Sequence, residues 1–522
     1  MSCEHRYAIL FLSHRGVTYP AISNGRGDAM TETTGKISTS TEAIGHSTNA
    51  AGKLLTRIKV FYGIGDLGNA VVNSAIQFFL MKFYTDGALI LPALAGNALL
   101  IGKIWDGISN PLFGWLTDKT SSRFGKRRVF MMFGAIPLAI SIALLWYVPP
   151  ANRLWTFVWI ALTFILFDTI WTLTNVPYYA LTSELTDDYD ERSSLTTYRM
   201  VMAVPAYLLG AAVTPAIVGL FALQRTGYGF IGILYGAIAA GALLVSAAGF
   251  RERKRQVQVQ SEANPIKSLR AALHNKPFVR LCAIYMTLNL SFAFIKILMV
   301  YYIQYQLLMA AQTTLVMGLM LVVVTVSLPF WQWLSKKMDK GPAYAIGMAV
   351  GALAVLITYF LPHGSTPLIY GVAVLAGFGF ATNWIFPWAM VADVGDYDRL
   401  QTGQQRSGMY YGVWGLATQI SEALALAAVG WILTGFGYVA NAVQTVQALF
   451  GIRLFFGLVP AGFILAALPF LFKYPITRSS HAEVRAKLES LDRAAEGGTN
   501  ADPAATAGID KADGEVKTAP VS

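Results

Sequence analysis

Charge is scarce in this sequence: only 13% of its 522 residues are Asp, Glu, Lys or Arg, about half the share found in an ordinary soluble domain. Cysteine is scarcer still. Cys3 and Cys282 stand alone, which excludes a disulfide framework and any cysteine-based metal spacing. The histidines (His5, His14, His46, His274, His363 and His481) fall in tails, loops or loop edges, so neither a histidine metal site nor a histidine proton relay inside a membrane is expected. There is no P-loop, no His-Glu-x-x-His pair and no Gly-x-Ser-x-Gly elbow, which sets aside an ATP-driven pump, a zinc protease and a serine hydrolase. The chain is not expected to be an enzyme, nor to need a metal or an organic cofactor.

What is present in abundance is apolar length. Hydrophobic residues make up 55% of the chain, mean hydropathy is +0.49, and the apolar residues come in runs of about 20 or more, the length of a helix that crosses a bilayer. Twelve spans are expected, at 58–84, 90–117, 129–149, 154–181, 194–222, 228–249, 277–306, 312–335, 342–361, 366–391, 407–436 and 449–473. They divide the chain into a disordered tail (1–57), a first six-helix bundle (58–249), a linker (250–276), a second six-helix bundle (277–473) and a second tail (474–522). The first tail carries no cleavable leader pattern, and Met30 is an alternative start within it. A short helix is expected to open the second tail, since Ser480 and Glu483 have capping-box spacing.

The formal charge of +11 would suit nucleic acid, but its distribution argues for orientation instead. Loops 118–128, 182–192, 250–276, 336–341 and 392–406 hold 18 Lys and Arg, whereas the opposite loops hold Arg153 and Arg225. By the positive-inside rule the basic loops, and with them both termini, are cytoplasmic. The expected location is a plasma (inner) membrane, crossed many times, with no nucleic-acid partner and a monomeric state.

An internal repeat supports the division into halves. Asn175-Val-Pro177-Tyr178, Glu184, Asp188-Tyr-Asp190 and Arg192-Ser193 have a counterpart in Ile385-Phe-Pro387-Trp388, Asp393, Asp396-Tyr-Asp398 and Arg406-Ser407. Both sets fall where the fourth helix of each half meets the basic loops. Two duplicated helical bundles with a site near the midplane describe a secondary transporter.

Several motifs add a family resemblance. The turn from Gly114 through Asp118 and Arg123 to Gly125-Lys126-Arg127 resembles the loop motif of the major facilitator superfamily. Tyr62-Gly-Ile-Gly-Asp66, Phe83-Tyr-Thr-Asp86, Ile104-Trp-Asp106-Gly-Ile-Ser-Asn110-Pro111 and Ala392-Asp393-Val-Gly-Asp396-Tyr397 resemble the glycoside-pentoside-hexuronide:cation symporters, the melibiose permease family, over about 58 to 490. The resemblance implies an all-α major facilitator fold of twelve transmembrane helices and transport of sugars, glycosides or uronides with H⁺, Na⁺ or Li⁺; a vertebrate branch carries lysolipids. It places cation coupling at Asp106, Asn110, Thr172 and Asn175, and sugar contacts at Asn69, Ala70, Asn175, Tyr179, Arg199, Trp384 and Gln419. Only one carboxylate of the family's helix II pair remains. Asn110 and Asn175 keep oxygens but not charge, and Lys103 sits one turn from Asp106, so Na⁺ coupling is expected to be weak and H⁺ is favoured. Ala70 and Gln419, in place of a family acid and a family lysine, depart from the family's pattern for Na⁺ coupling and galactoside recognition.

The residues themselves support and qualify that list. Asp168, Thr172, Asn175 and Tyr179 are spaced by four, three and four, which aligns them on one face of a helix that would line a cavity. Asp168 is a candidate substrate contact or a relocated carboxylate. Lys103 and Asp106 form an i, i+3 pair, either a neutralising couple or part of a coupling site with Asn110. Glu422 and Lys296 form either a fixed ion pair, the favoured reading, or a proton switch or substrate contact; Trp384 is expected to offer a platform for a sugar face and Trp388 to pack. Arg199 has either a substrate or a lipid phosphate as its partner. Asp118, Arg123, Glu184, Arg192, Asp393, Asp396 and Arg406 are expected to form a gate of salt bridges that break and re-form between states. The expected function is cation-coupled carriage of a sugar or glycoside by alternating access; the alternatives are a lysolipid carrier of the same fold and a transport-dead membrane sensor.

Overall fold

The computed structural model describes residues 54–120, 122, 124–186, 189–249, 272–364, 366–402 and 407–498. The disorder expected for the first tail falls almost wholly outside them. Among the described residues every regular element is helical, and twelve long helices appear in chain order. The first half contributes α1 (Thr56–Lys82), α2 (Pro92–Lys119), α3 (Arg128–Leu145), α4 (Arg153–Leu185), α5 (Tyr189–Val218) and α6 (Gln224–Gly249). The second contributes α7 (Lys276–Tyr301), α8 (Thr313–Ser335), α9 (Lys340–Phe360), α10 (Thr366–Phe380 and, after a break at Ala381, Thr382–Thr402), α11 (Ser407–Gly435) and α12 (Val446–Arg453, continued through a π-turn to Val459–Phe472). A thirteenth helix, α13 (Arg478–Gly498), follows. Ten of the helices are individually long and apolar enough to cross a membrane. α1 and α2 fall short of that measure because they carry Lys59, Asp66, Lys82, Lys103 and Asp106 along the span, of which all but Lys103 are buried.

Three sequence expectations need correction. α4 continues to Leu185 and α10 to Thr402, beyond the loop starts expected at 182 and 392, since a helix does not end where hydropathy does. Asp393 and Asp396 therefore sit one turn apart on α10 rather than in a loop. The cap of α13 lies three residues earlier than expected: Thr477 N–H donates to Ser480 Oγ at 2.9 Å and Ser480 N–H to Thr477 Oγ1 at 3.3 Å, a reciprocal capping box.

The two halves share a local design at one end. α1 runs into a π-turn at Phe83–Gly87 and α7 into one at Tyr302–Gln306. Each is followed by a leucine in the left-handed region, Leu89 (φ 57°) and Leu308 (φ 58°). The bonds match as well, Ala88 N to Phe83 O and Ile90 N to Tyr84 O in the first half, Leu307 N to Tyr302 O and Met309 N to Ile303 O in the second. A non-glycine residue at positive φ is uncommon, so its recurrence at the same offset in both halves is a structural trace of duplication.

Within the first half α1 packs on α5 and α6, and α4 on α2 and α3; within the second α7 packs on α11 and α12, and α10 on α8 and α9. The halves meet along α2–α11, α5–α8 and α1–α7. At α2–α11 the backbones come close because both sides are glycine: a Cβ on Gly430 would lie 2.5 Å from Pro92 O and 3.1 Å from Gly96 Cα. Small residues at such crossings permit the van der Waals contact that holds helices together in lipid.

Candidate functional site

A cavity of about 430 Å³ lies between the halves, lined by α1, α4 and α5 on one side and α7, α8, α10 and α11 on the other. One wall is polar. Asn69, Asn73 and Gln77 recur along α1 at helical spacing, facing Asn289 and Lys296 of α7 and Asn383 of α10. The other wall is apolar, with Val204 and Leu208 of α5 opposite Leu321, Val324 and Leu328 of α8. Aromatic rings line the space between: Tyr179 and Trp384 are each 42% exposed and Trp388 50%, large values for rings inside a helical bundle. Trp384 leans edge-on against Tyr207, with centroids 5.4 Å apart.

Of the expected substrate residues, Asn69, Tyr179, Arg199 and Trp384 line the cavity. Asn175 stands directly behind, its Oδ1 accepting from Asn69 Nδ2. The structure brings Trp388 to the cavity wall, where packing alone was expected. Gln419 is turned away into the α2–α11 seam, accepting from Lys103 Nζ at 2.9 Å, while its neighbour Thr418 faces the cavity. Asp168 also leaves the substrate group. It is buried beside Asp106 and accepts from Ser109 Oγ at 3.4 Å.

Arg199 turns inward rather than towards lipid. Its Nε lies 3.1 Å from Asp66 Oδ2, its guanidinium stacks 4.6 Å from the Tyr179 ring, and Tyr179 donates to Asp66 Oδ1 at 3.3 Å. Asp66 was not assigned to the site from sequence. Its signal was available, since an acid in the middle of an otherwise apolar span needs a partner or a task.

The coupling candidates form a connected set. Asn110 Nδ2 donates to Asp106 Oδ1 at 2.6 Å, and Lys103 Nζ approaches Asp106 at 3.6 Å and Glu422 at 3.4 Å. Lys296 Nζ stands 3.6 Å from the same Glu422 and donates to Gln77 at 3.0 Å. Thr172 is buried on the α4 face between Asp168 and Asn175. The expected Glu422–Lys296 pair is therefore one arm of a cluster in which Glu422 serves two lysines. With Asp106 and Asp168 included, three carboxyls adjoin two ammonium groups.

The expected gate is described only in part: Arg123 and Arg406, with the side chains of Asp118 and Glu184, lie outside the described residues. Arg192 Nε donates to Thr186 O at the end of α4 at 2.9 Å. Lys340 Nζ pairs with Asp393 at 2.6 Å, and His481 of α13 lies 3.4 Å from Asp393 and 3.1 Å from Asp396. These contacts join elements of the same half.

Two pseudo-symmetric groups of membrane-spanning helices around a central cavity, with charged groups along their seam, define a multi-pass membrane transporter. The chain belongs to the MFS/sugar transport protein family, whose model matches residues 61–478, and it is a transporter, not an enzyme. It is 27% identical to a putative glycoside/cation symporter of Escherichia coli over 87% of this chain and 99% of that one. It is 26% identical to a sodium-dependent lysophosphatidylcholine symporter of Gallus gallus over 86% and 92% of the respective chains. Among solved structures, a D-xylose-proton symporter superimposes with a TM-score of 0.59 at 13% identity, covering 80% of this chain and 97% of that one, a likeness that concerns the fold.

Proposed function

We propose that this protein is a symporter for a sugar or glycoside, uronides included, that works by alternating access as a monomer in the plasma membrane. The observation that carries this reading is the cavity between the halves, where the indole of Trp384 stands beside the amides of Asn69, Asn73, Asn289 and Asn383. An indole face suits the C–H face of a pyranose, and amides both donate to and accept from its hydroxyls. Three carboxyls, Asp106, Asp168 and Glu422, clustered with two lysines, offer places for a coupling cation to bind, which supports cation coupling. Lys103 at 3.6 Å and the Asn110 amide donating to Asp106 disfavour Na⁺, which wants several hard oxygens with little competing positive charge, and so favour H⁺. The positive-inside rule assigns the basic-loop end, and both termini, to the cytoplasm.

The test begins with a thermal-shift screen of the purified protein against sugars, uronates and polyols, followed by proteoliposome uptake of any hit under imposed Na⁺ or pH gradients. Uptake driven by the pH gradient and abolished in its accumulating phase by Asp106→Asn is the expected outcome. Strong stimulation by Na⁺ alone overturns the H⁺ assignment. A second reading, carriage of a lysolipid, draws on the apolar wall formed by α5 and α8, and lysophosphatidylcholine belongs in the same screen as its direct test.

A further inference from the structure

The end of the molecule remote from the basic loops contains a buried ion pair that plays no part in the site described above. Lys82 and Asp86 pair across one turn at the end of α1, and they are 1% and 2% exposed. Both belong to the first half, yet what covers them comes largely from the second. Tyr305 donates to Asp86 Oδ2, Tyr438 donates to Oδ1 at 2.6 Å, and Asn441 Nδ2 donates to the Asp86 carbonyl at 2.7 Å. The Lys82 ammonium rests on the faces of Tyr301 and Tyr305, 4.6 Å and 4.1 Å from their centroids. Thr85, from the first half, completes the shell, donating to Asp86 Oδ1 at 2.7 Å and lying 2.7 Å from the Tyr301 hydroxyl.

From these contacts we infer that Lys82 and Asp86, with Tyr301, Tyr305 and Tyr438, form the gate that closes this end of the transport pathway. The pair stays intact within the first half, between the end of α1 and its π-turn, whichever way the halves move, so opening never strands a lone charge. In the closed state phenol donors and ring faces replace water around it; in the open state water returns. Because both environments satisfy the charges, the closed state is favoured yet opening stays within thermal reach, as a gate that must open and close repeatedly requires. The duplication explains the fit: Asp86 and Tyr305 occupy the same place in their respective π-turns, Lys82 and Tyr301 are the last residues of the helices before them, and the two turns face each other across the seam. A few residues deeper, Gln77 and Lys296, equivalent by the same offset, bond in the same way.

This gate presupposes the alternating access proposed above but needs no substrate to test. Ala427 of α11 is 1% exposed and abuts Gly96 of α2 across the seam, so in a Cys3→Ser, Cys282→Ser background the rate at which Ala427→Cys reacts with N-ethylmaleimide follows the fraction of molecules open at this end. Tyr305→Phe with Tyr438→Phe removes two hydroxyls and keeps both rings. Asp86→Asn removes the anion. Each is expected to raise the labelling rate by about tenfold or more, while Lys340→Gln at the other end leaves it unchanged. Should Asp86→Asn fail to elute as a monodisperse species, the tyrosine pair alone decides. An unchanged rate in the folded tyrosine variant overturns the assignment, as does an equal rise with Lys340→Gln. A failed sugar screen would leave this result standing and bear only on the substrate.

Discussion

The two ends of the molecule hold their charges differently. At the end remote from the basic loops, a group of bonds joins one half to the other: Ala93 N to Thr434 Oγ1, Trp431 Nε1 to Asn97 Oδ1, and the tyrosines to Asp86, with Lys103 and Lys296 meeting at Glu422 deeper in the seam. At the basic-loop end the described ion pairs Lys59–Glu191, Lys340–Asp393 and His481–Asp396 each stay within one half. A bond within a half is indifferent to the rocking of the halves, whereas a bond across the seam must break each time that end opens. The within-half pairs therefore brace helices, and the cross-seam bonds weight the conformational equilibrium.

The largest effect expected from breaking this contrast comes from the glycine crossing. Gly430→Leu places a side chain where the backbone of α2 already lies, and overpacking of this kind typically costs about 1–3 kcal/mol or more, all of it borne by the state in which this end is closed. Labelling at Ala427→Cys is expected to rise by more than tenfold and uptake to stop; unaltered uptake would show that this crossing is not part of the cycle. Glu422→Gln comes next. It leaves the buried Lys296 and the part-buried Lys103 without their shared acid. Because Glu422 lines the cavity and Lys103 keeps Asp106, the loss is expected to stay well below the cost of breaking a fully buried pair, about 3–5 kcal/mol, and to be visible as a fall in the melting temperature of the purified protein. Adding Lys296→Gln to that variant is expected to restore part of the loss, whereas strictly additive losses would show that the two residues do not interact. The smallest effect belongs to the other end. His481→Ala removes contacts to Asp393 and to an Asp396 side chain that is 45% exposed, and exposed pairs contribute under about 1 kcal/mol. Melting is expected to change little and Ala427→Cys labelling not at all; a clear change in labelling would mean that α13 reaches the conformational equilibrium after all.

The sequence by itself determined the membrane class, the number of spans and the pairing of the halves, because each rests on local or periodic information: runs of about 20 apolar residues suffice for a helix in lipid, and a duplicated motif is visible wherever it falls. Helical spacing likewise placed Asp168, Thr172 and Asn175 on one face of α4, and a charge-by-charge reading of the spans found Asp106, Lys103, Glu422 and Lys296. That reading passed over Asp66 and the Lys82–Asp86 pair, which sit in α1 and its π-turn among motifs noted only for their family likeness. Only the tertiary structure decided which of these residues meet. Gln419 pairs with Lys103 instead of lining the cavity, Asp168 joins Asp106, and Arg199 closes on Asp66. The Asp86–Tyr305 contact spans 219 positions in the chain. Helical periodicity assigns a residue to a face of its own helix, but the partner it meets there depends on how two separately folded groups of helices are rotated and set against each other, and no local pattern encodes that.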